Sequence, residues 1–423
     1  MDEGEELVNA RCSLLAIGMA FLGGAALAAR PAAAWKGEEV VRDGVRHVVN
    51  PETPVEEVTL LAKEQWQRGG EDDDILFGMV SQLVRDGQGN IYLLDGQLSE
   101  IHVFSPTGEH LRKIGREGEG PGEFRNATDM YLGPNGTLGV VQVFPGRIVQ
   151  LATNGTPAGN FPLPEVEGGG FQLVFVGRGL ADRVVLAGAQ QQMQGGQQVQ
   201  SSYLEAFDPN GKSMVRYHEE KAETRFGGMK FIEKTFSNFQ RRWALAPDGR
   251  VAAALAFDDY KITVWKADGS VDQVIERPQY APLARTSAAK QRYQKFYDAI
   301  TRWNPGSTFE VSATHPAVAQ IFFRDDGSLW ILPARGMWER KPGVFASFDV
   351  YDKQGRFMRR AHLVLDGDPV EDGIFFVGDR VYQVTDLFGA VMANFGGGTA
   401  AADGEAVQAE PVKVIAYEVA SKK

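Results

Sequence analysis

Seven polar and aromatic residues are the candidates for chemistry at a binding surface. They combine hydrogen-bonding groups, positive charges and one indole ring: Asp95, Arg116, Gln142, Arg147, Arg335, Trp338 and Arg340. Guanidinium groups bind carboxylates and phosphates through paired N–H donors, and arginine with tryptophan is typical of the dominant residues of binding interfaces. The segment RGMWERK (335–341) fits a solvated loop with one buried tryptophan equally well, so both interpretations stay open.

No residue is predicted to be catalytic. The sequence lacks the G-x-S-x-G pattern of a nucleophile elbow. Its only cysteine, Cys12, lies before an apolar run that resembles a secretory signal, so cleavage of that signal would leave no thiol for catalysis. Asp258 and Asp259 are adjacent, and adjacent residues of a strand point to opposite faces, so they are not expected to share a proton. A Ser/His/Asp set assembled from distant positions stays open.

No metal and no cofactor are predicted. The six histidines share neither an H-x-H nor an H-E-x-x-H spacing. The glycine-rich segment GREGEGPGEF (115–124) lacks the Gly-Lys-Ser/Thr ending of a phosphate loop and is followed by a strand pattern, which indicates a connection between strands. A metal in a central channel remains an alternative.

Strands must position these residues, and the segment 80–115 shows how. Four short apolar runs alternate with turns rich in Gly, Pro, Asn and Asp: VSQLVRD, NIYLLD, EIHVF and EHLRKIG. A four-stranded antiparallel meander cannot bury both of its faces alone, so it must close into a barrel, stack into a sandwich or repeat as a propeller blade.

The pattern recurs along the chain. Five turn glycines follow an apolar or aromatic residue by four positions, and those residues are Phe104, Leu151, Phe207, Trp265 and Tyr351. A turn followed by an apolar run occurs six times, and aligning the six copies puts these residues at the end of the second strand: Asp95, Gln142, Gly188, Leu255, Pro333 and Thr385. One carboxylate among six positions is not a calcium-binding ring. Six repeats predict an all-β, six-bladed β-propeller of four-stranded antiparallel blades over 80–423.

The segment SEIHVFSPTGEHLRKIGREGEGPGEF (99–124) resembles the NHL repeat, in which a strand pair is followed by a GxGPGxF-like link to the next blade. The likeness is close in the first blade, and later blades keep the turns and strands but lose the link. This resemblance implies a bacterial six-bladed propeller of NHL-like type, and it implies a fold rather than a function.

Long segments fall on one face of such a propeller, the top face, where second strands end and blades connect. They are 189–200, 220–241, 277–315, 334–343 and 386–411. Residues 286–303 predict one inserted helix, with Thr286 or Ser287 as the N-cap and an apolar stripe of Tyr293, Phe296, Tyr297, Ile300 and Trp303. The stripe either packs on the blades or forms a lid over a pocket. Loops that grow on one side usually carry function there.

The N-terminal residues predict export. Residues 13–29 are apolar or small and lead to Ala32-Ala33-Ala34, which resembles a secretory signal cleaved after Ala34. An uncleaved anchor is the alternative, and the acidic residues before the run would be removed by a start near Val8. Residues 35–79 form an extension that could add a strand to the last blade.

The export signal, on an acidic chain that keeps no cysteine after cleavage, predicts a periplasmic or secreted protein without a stable membrane span after cleavage. We also expect the protein to be monomeric. A formal charge of −11 over 423 residues argues against nucleic-acid binding. We expect a non-catalytic propeller that binds a small ligand or a protein partner on its top face. The alternative is a propeller enzyme, a lyase or hydrolase, at the mouth of the central channel.

Overall fold

The computed structural model describes residues 34–166, 170–194, 197–224, 230–235, 239, 242–301, 306–396 and 410–422. Residues Trp35–Lys423 form one compact unit. Its strands contain buried apolar residues, and the turns between them contain glycines at positive φ, such as Gly89 and Gly108 in the first two hairpins.

Six four-stranded antiparallel blades follow one another along the chain. Three strands precede them: β1 (Glu38–Arg42), β2 (Val45–Val49) and β3 (Glu56–Gly69). Blade 1 contains β4 (Val80–Arg85), β5 (Ile91–Asp95), β6 (Glu100–Phe104) and β7 (His110–Ile114). Blade 2 contains β8 (Ala127–Leu132), β9 (Thr137–Gln142), β10 (Arg147–Ala152) and β11 (Pro157–Asn160). Blade 3 contains β12 (Phe171–Gly179), β13 (Val184–Gln194), β14 (Gln197–Phe207) and β15 (Ser213–Thr224).

The second half of the chain continues the series after a short strand, β16 (Lys230–Ile232). Blade 4 contains β17 (Trp243–Leu245), β18 (Val251–Ala253), β19 (Lys261–Trp265) and β20 (Val271–Glu276). After β21 (Thr308–Glu310), blade 5 contains β22 (Val318–Phe323), β23 (Leu329–Pro333), β24 (Ala346–Tyr351) and β25 (Phe357–Val364). Blade 6 contains β26 (Gly373–Val377), β27 (Arg380–Val384), β28 (Lys413–Ser421) and, as its outer strand, β3.

The hydrophobic core closes these sheets into a ring. Six clusters of buried residues each combine two neighbouring blades, and one of them joins Leu83 and Leu93 of blade 1 to Tyr382 and Val414 of blade 6. Every junction between successive blades, including that between the last and the first, is therefore filled with apolar side chains. The chain is an all-β, six-bladed β-propeller, as the sequence predicted.

The innermost strands share one irregularity. In blades 1, 2 and 5 the register shifts by one residue near the strand start, at Ser81, Thr128 and Ala319, and in blade 3 it shifts in the middle of β12, at Phe175. The residues opposite this bulge are Asp95, Gln142, Gly188 and Pro333, four of the six positions that the sequence alignment grouped. A bulge re-aims side chains at the strand end.

An N-terminal belt, residues 38–69, covers the outer edges of three blades. Strand β2 pairs in parallel with β20 of blade 4, and β3 pairs in parallel with β25 of blade 5 and antiparallel with β28 of blade 6. Asn50 lies between β2 and β3 and is 1% exposed; it accepts a hydrogen bond from Phe357 N and donates one to the carbonyl of Gly355. The belt thus protects outer edges that would otherwise be open to pairing.

Three helices lie among the described residues: α1 (Ser287–Thr301), α2 (Ala334–Trp338) and α3 (Leu387–Gly396). The sequence predicted α1, and Thr286 Oγ1 caps it by accepting from Ala289 N. The prediction of only one inserted helix was wrong. Helix α2 is a turn of five residues within 334–343, and α3 contains helix-forming Leu, Ala and Met in a segment whose glycines suggested a loop.

Two further expectations need correction or limits. The predicted glutamine-rich loop at 189–200 is mostly strand, because β13 and β14 continue as a hairpin in which Gln191 pairs with Gln200. Trp303 and the side chain of Ile300 lie outside the described residues. None of the helices in the described part of the chain combines the length and apolar character of a bilayer-spanning segment.

Candidate functional site

The top-face cleft lies between α1 and α3 and has a volume of about 670 Å³. Its lining includes cationic Arg292 and Lys295, apolar Phe388 and Met392, and the carboxylates Glu371, Asp372, Asp386 and Glu410. A second cavity of about 330 Å³ shares Arg292 and Glu371 and reaches Trp338 of α2. All three helices follow top-face strand ends, so the cleft is built from insertions into the propeller.

A buried ion pair anchors α1 to the inserted segments beneath it. Arg285 precedes the helix, and its Nη1 and Nη2 donate to Glu233 Oε2 at 2.6 Å and Oε1 at 2.8 Å. Both side chains are at most 6% exposed. Ser312 N also donates to Glu233, and the Arg285 guanidinium lies 4.0 Å from the ring centre of Tyr293 on α1. This part of the predicted stripe packs on the insertions beneath it.

Arg292 on α1 connects the helix to the opposite wall of the cleft. Its two Nη atoms donate to the two carboxylate oxygens of Glu371, and Nη2 also donates to the Val370 carbonyl at 3.0 Å. The guanidinium stacks 3.6 Å from the ring centre of Phe388 on α3. Phe296 of the predicted stripe contacts the same ring at 6.0 Å between centroids. These contacts fix α1 and α3 as the two sides of the cleft.

The cleft carries more negative than positive charge. Burial raises the pKa of Asp386 above its usual value, and the neighbouring carboxylate of Glu371 adds to the rise, whereas the backbone N–H of Glu410 opposes it. Asp372 is a structural carboxylate, because it accepts from Asp386 N at 2.9 Å and Gln383 Nε2 at 2.7 Å. A cationic group placed in the cleft would relieve this accumulation of negative potential.

Three of the sequence-predicted residues meet at the link between blades 1 and 2. Arg147 donates to Gln142 Oε1 at 2.7 Å and to the Glu123 carbonyl at 3.3 Å. Arg116 pairs with the carboxylate of Glu123 at 2.6 Å, and Gly120 N donates to the same carboxylate. Glu123 thus organises the glycine-rich link as a connection between strands, far along the chain from the insertions that build the cleft.

Asp95 is buried, with 0% exposure, and its carboxylate is occupied by backbone amides. Oδ2 accepts from Gly78 N at 2.6 Å, and Oδ1 accepts from Met79, Gln97 and Leu98 N at 3.0–3.2 Å. These bonds hold the chain where it enters and leaves blade 1. The residue type suggested a ligand contact, but in the structure the carboxylate of Asp95 accepts hydrogen bonds from the backbone of blade 1.

The other three predicted residues lie on α2 or directly after it. Trp338 packs against His315, with ring centres 4.3 Å apart and ring planes tilted by 32°, and Arg340 pairs with Asp368 at 3.4 Å. Trp338 and Arg340 both border the smaller cavity beside the cleft. Arg335 pairs with Glu339 and borders a different pocket, of about 490 Å³, between blades 4 and 5. We call this the inter-blade pocket.

Sequence reasoning missed Arg292, Glu371 and Asp386 as residues of the cleft. Arg292 was on the predicted helix but on its polar side, and Asp386 opened a predicted top-face insertion without any motif around it. Thr385, which the repeat alignment placed at the top of the channel, does border the cleft. The signal available in the sequence was thus the location of insertions, not the identity of their polar residues.

No group of three or more His, Cys, Asp or Glu side chains in the described part of the chain has an arrangement that could hold a metal ion.

Asp129 forms a polar contact between the inner strands: it accepts from Gln82 at 2.7 Å, from Gly177 N at 2.9 Å and from Arg178 at 2.7 Å. This carboxylate joins blades 1, 2 and 3 across their inner strands.

Comparison with known proteins agrees with this architecture. Residues 71–159, which form blades 1 and 2, match the family described as DUF5128, 6-bladed β-propeller. The family description and the six blades of the structure agree. No curated protein sequence matches the chain.

Several solved structures are similar to the propeller. A DUF4221 family member from Bacteroides vulgatus is 10% identical, with 86% of this chain and 99% of that chain covered and a TM-score of 0.46. A candidate exported protein from Bacteroides fragilis is 13% identical, with 87% and 99% covered and a TM-score of 0.44. A streptogramin B lyase is 10% identical, with 84% and 98% covered and a TM-score of 0.38. At these identities no function is transferred.

Proposed function

We propose that this propeller binds a small ligand with a cationic group and an apolar portion in the top-face cleft. The observation that carries the proposal is a cavity of about 670 Å³ between two inserted helices, lined by four carboxylates and two basic side chains. Ligand sites of proteins typically have volumes of about 300–1,000 Å³ and few, fixed polar groups.

The two basic side chains do not neutralise the four carboxylates. Arg292 is already held by Glu371, and Asp372 is used by the fold, so Asp386 and Glu410 are the acidic groups that face a ligand. Phe388 and Met392 supply the apolar part of the surface. An ammonium or amidinium group near Asp386 and a ring or alkyl group on α3 would match this lining.

Benzylamine and benzoate, which differ in the sign of their charge, test the proposal. We expect benzylamine to raise the melting temperature of the wild-type protein in a concentration-dependent manner, and benzoate to leave it unchanged. The variant Asp386→Asn should lose most of the benzylamine effect. The matched control is Glu339→Gln, which removes a carboxylate outside the cleft and should keep it. Equal stabilisation by the two probes, or by benzylamine in both variants, would contradict the proposal.

We also infer that the chain is an exported, monomeric propeller of the NHL-like type, cleaved after Ala34. The apolar residues 13–29 support export, and the proposed cleavage site coincides with the start of the compact unit at Trp35. Trp35 itself is part of that unit, since its indole N–H donates to Asn50 at 2.9 Å. N-terminal sequencing of protein from the extracytoplasmic fraction should begin at Trp35; an intact N-terminus there would contradict cleavage.

A further inference from the structure

We propose that the inter-blade pocket holds a second, catalytic site in which Ser347 is an acyl-accepting nucleophile for small carboxylic esters, His362 is its general base and Glu57 positions the histidine. This activity is separate from ligand binding in the top-face cleft. The pocket has a volume of about 490 Å³, and all three residues line it.

The three side chains come from three neighbouring strands. Ser347 on β24 and His362 on β25 are direct cross-strand partners, and Ser347 Oγ lies 2.8 Å from His362 Nδ1. Glu57 is on β3, the belt strand that pairs with β25, and its Oε2 lies 3.1 Å from His362 Nε2. Nδ1 thus faces the hydroxyl of Ser347, whereas Nε2 faces both the Glu57 carboxylate and Lys341 Nζ, which also lies 3.1 Å away.

The proposed general base is the tautomer of His362 that has its proton on Nε2. Hydrogen bonding from Lys341, at 2.7 Å, lowers the pKa of Glu57, with a smaller contribution from His362, so its carboxylate is ionised near neutral pH. An ionised carboxylate can only accept, so in this tautomer Nε2–H and Lys341 Nζ both donate to Glu57 Oε2. Nδ1 then carries the lone pair that faces Ser347 Oγ, as a general base requires.

The blade architecture does not account for a Ser–His pair at this position. The residue four before the last aromatic of the third strand is Ser347 in blade 5, Lys261 in blade 4 and Tyr203 in blade 3. Their cross-strand partners are His362, Glu276 and Glu219. By contrast, the neighbouring pair Asp349–Arg360 has an acid–arginine equivalent in blade 3, Glu205–Arg216. The acid–arginine pair recurs, whereas the Ser–His pair belongs to blade 5.

Helix α2 lies directly against the candidate nucleophile. Gly336 is needed there, because a Cβ at this position would lie 2.0 Å from the Ser347 carbonyl oxygen. Ser347 and His362 are only 8% and 5% exposed, and both border the cavity, through which the ester and water would reach them. The guanidinium groups of Arg335 and Arg360 line the same cavity and supply N–H donors for a developing oxyanion.

The reaction balances with an ester and water alone. Ser347 Oγ bonds to the ester carbonyl carbon while His362 Nδ1 takes the hydroxyl proton, and the carbon–alkoxy bond breaks as that proton passes to the leaving alcohol. Water then attacks the acyl-serine, His362 takes its proton, and the proton returns to Ser347 Oγ as the carboxylic acid leaves.

Fluorophosphonate labelling and p-nitrophenyl acetate hydrolysis test the site on the mature protein. Both should be measurable for the wild type, with the adduct on the peptide that contains Ser347, and both should be lost in Ser347→Ala. The control Ser270→Ala changes a turn serine of blade 4 and should keep the wild-type rates. An unlabelled wild type, or equal labelling of Ser347→Ala, would overturn the proposal.

The roles of the other two residues have separate readouts. His362→Ala should lose hydrolysis and regain part of it with added imidazole, which a purely structural histidine would not do. Glu57→Gln should lower kcat by at least about tenfold with little change in KM, as for loss of a positioning group. Absence of imidazole rescue in a folded His362→Ala variant, or an unchanged kcat in Glu57→Gln, would remove these roles.

Discussion

The top-face cleft and the inter-blade pocket lie on either side of α2, which borders the smaller cavity beside the cleft and the inter-blade pocket, yet the fold builds the two by different means. The cleft is formed by α1 and α3, which are insertions held by side-chain packing and by the Arg285–Glu233 pair. The inter-blade pocket is lined by loop and α2 residues together with β24, β25 and β3, and the register of these strands fixes Ser347, His362 and Glu57. Strand register places neighbouring side chains about 4.5–5.5 Å apart without any help from loops. The shape of the cleft therefore depends on the inserted helices, whereas Ser347, His362 and Glu57 of the inter-blade pocket are placed by paired strands.

The same contrast applies to the buried charges of the two regions. Asp349 in the inter-blade pocket accepts from Arg277, Arg360 and Tyr260, all within 3.0 Å. It connects blade 5 to blade 4 through the core. Glu233 in the insertions connects only inserted segments to one another. Removing Asp349 should therefore destabilise the blades, whereas removing Glu233 should affect only the inserted segments.

The largest effect is expected for Asp349→Ala. The side chains of Arg277 and Asp349 are 5% and 0% exposed, so the change leaves a buried guanidinium without its carboxylate. We expect the free energy of global unfolding, measured by denaturant titration, to fall by about 3–5 kcal/mol. The control Asp182→Ala removes an exposed carboxylate from its pair with Arg183, which keeps its bond to the Ala267 carbonyl, and should cost less than about 1 kcal/mol. Similar losses in both variants would show that Asp349 does not join the blades.

A smaller and local effect is expected for Glu233→Ala. The change leaves Arg285 buried and unpaired beneath α1, but no blade strand contains either residue. We expect loss of hydrogen-exchange protection in α1, by about 3 kcal/mol or less, with the strands of the blades unchanged. Glu310→Ala, which breaks an exposed pair with Lys230, is the control. Loss of protection in the blade strands as well would contradict the division into two regions.

The third prediction separates the two sites through the N-terminal belt. Asn50→Ala removes the bonds that hold the belt to blade 5 and leaves buried backbone groups of Gly355 and Phe357 unpaired, which should cost about 1–3 kcal/mol. Because the belt carries Glu57, fluorophosphonate labelling should slow, whereas stabilisation by benzylamine in the cleft should persist. Asn154→Ala, in an exposed turn, is the control. If both sites lose function together, the belt supports the whole molecule and not one pocket.

The blades could be predicted from sequence because their signals are local. Alternating apolar residues and turn glycines gave the strands of blade 1 to within one or two residues, and the repeat gave the number of blades. The capped, amphipathic α1 was visible for the same reason. Helix α2 was not, because five residues with a central Gly336 contain too little pattern to distinguish a helix from a loop.

The sites were less predictable because they depend on contacts between distant residues. Glu57 and His362 are 305 positions apart and meet only because β3 pairs with β25. Asp95 was chosen as a ligand residue by its type, but the bulge at Ser81 and the turn after β5 bring backbone amides to its carboxylate. Strand register decides the contact between Glu57 and His362, and a bulge and a turn decide the surroundings of Asp95. Neither register nor bulge can be predicted from a single sequence.

The smallest effect is expected from His315, which lies beneath Trp338 at the border of the cleft. Burial lowers the pKa of His315 to about 4, and the positive charge of Arg285 adds to the shift while Glu233 opposes it. The unfolded chain, with a histidine pKa near 6.5, therefore binds a proton at a higher pH than the native state does. The contribution of neutral His315 to stability is complete above about pH 6.5 and is lost as the pH falls toward 4.

Thermal melts between pH 7 and pH 4 check this sign. The wild type should lose more of its melting temperature over that interval than His315→Gln, which keeps a polar side chain but cannot take up the proton. His218→Gln is the control, because His218 pairs with Glu220 on β15 and does not border the cleft. If the pH dependence were the same for wild type and His315→Gln, burial of a neutral histidine would not contribute to the acid sensitivity of this region. A lesser dependence in His315→Gln alone would place that sensitivity at α2, on the side of the cleft.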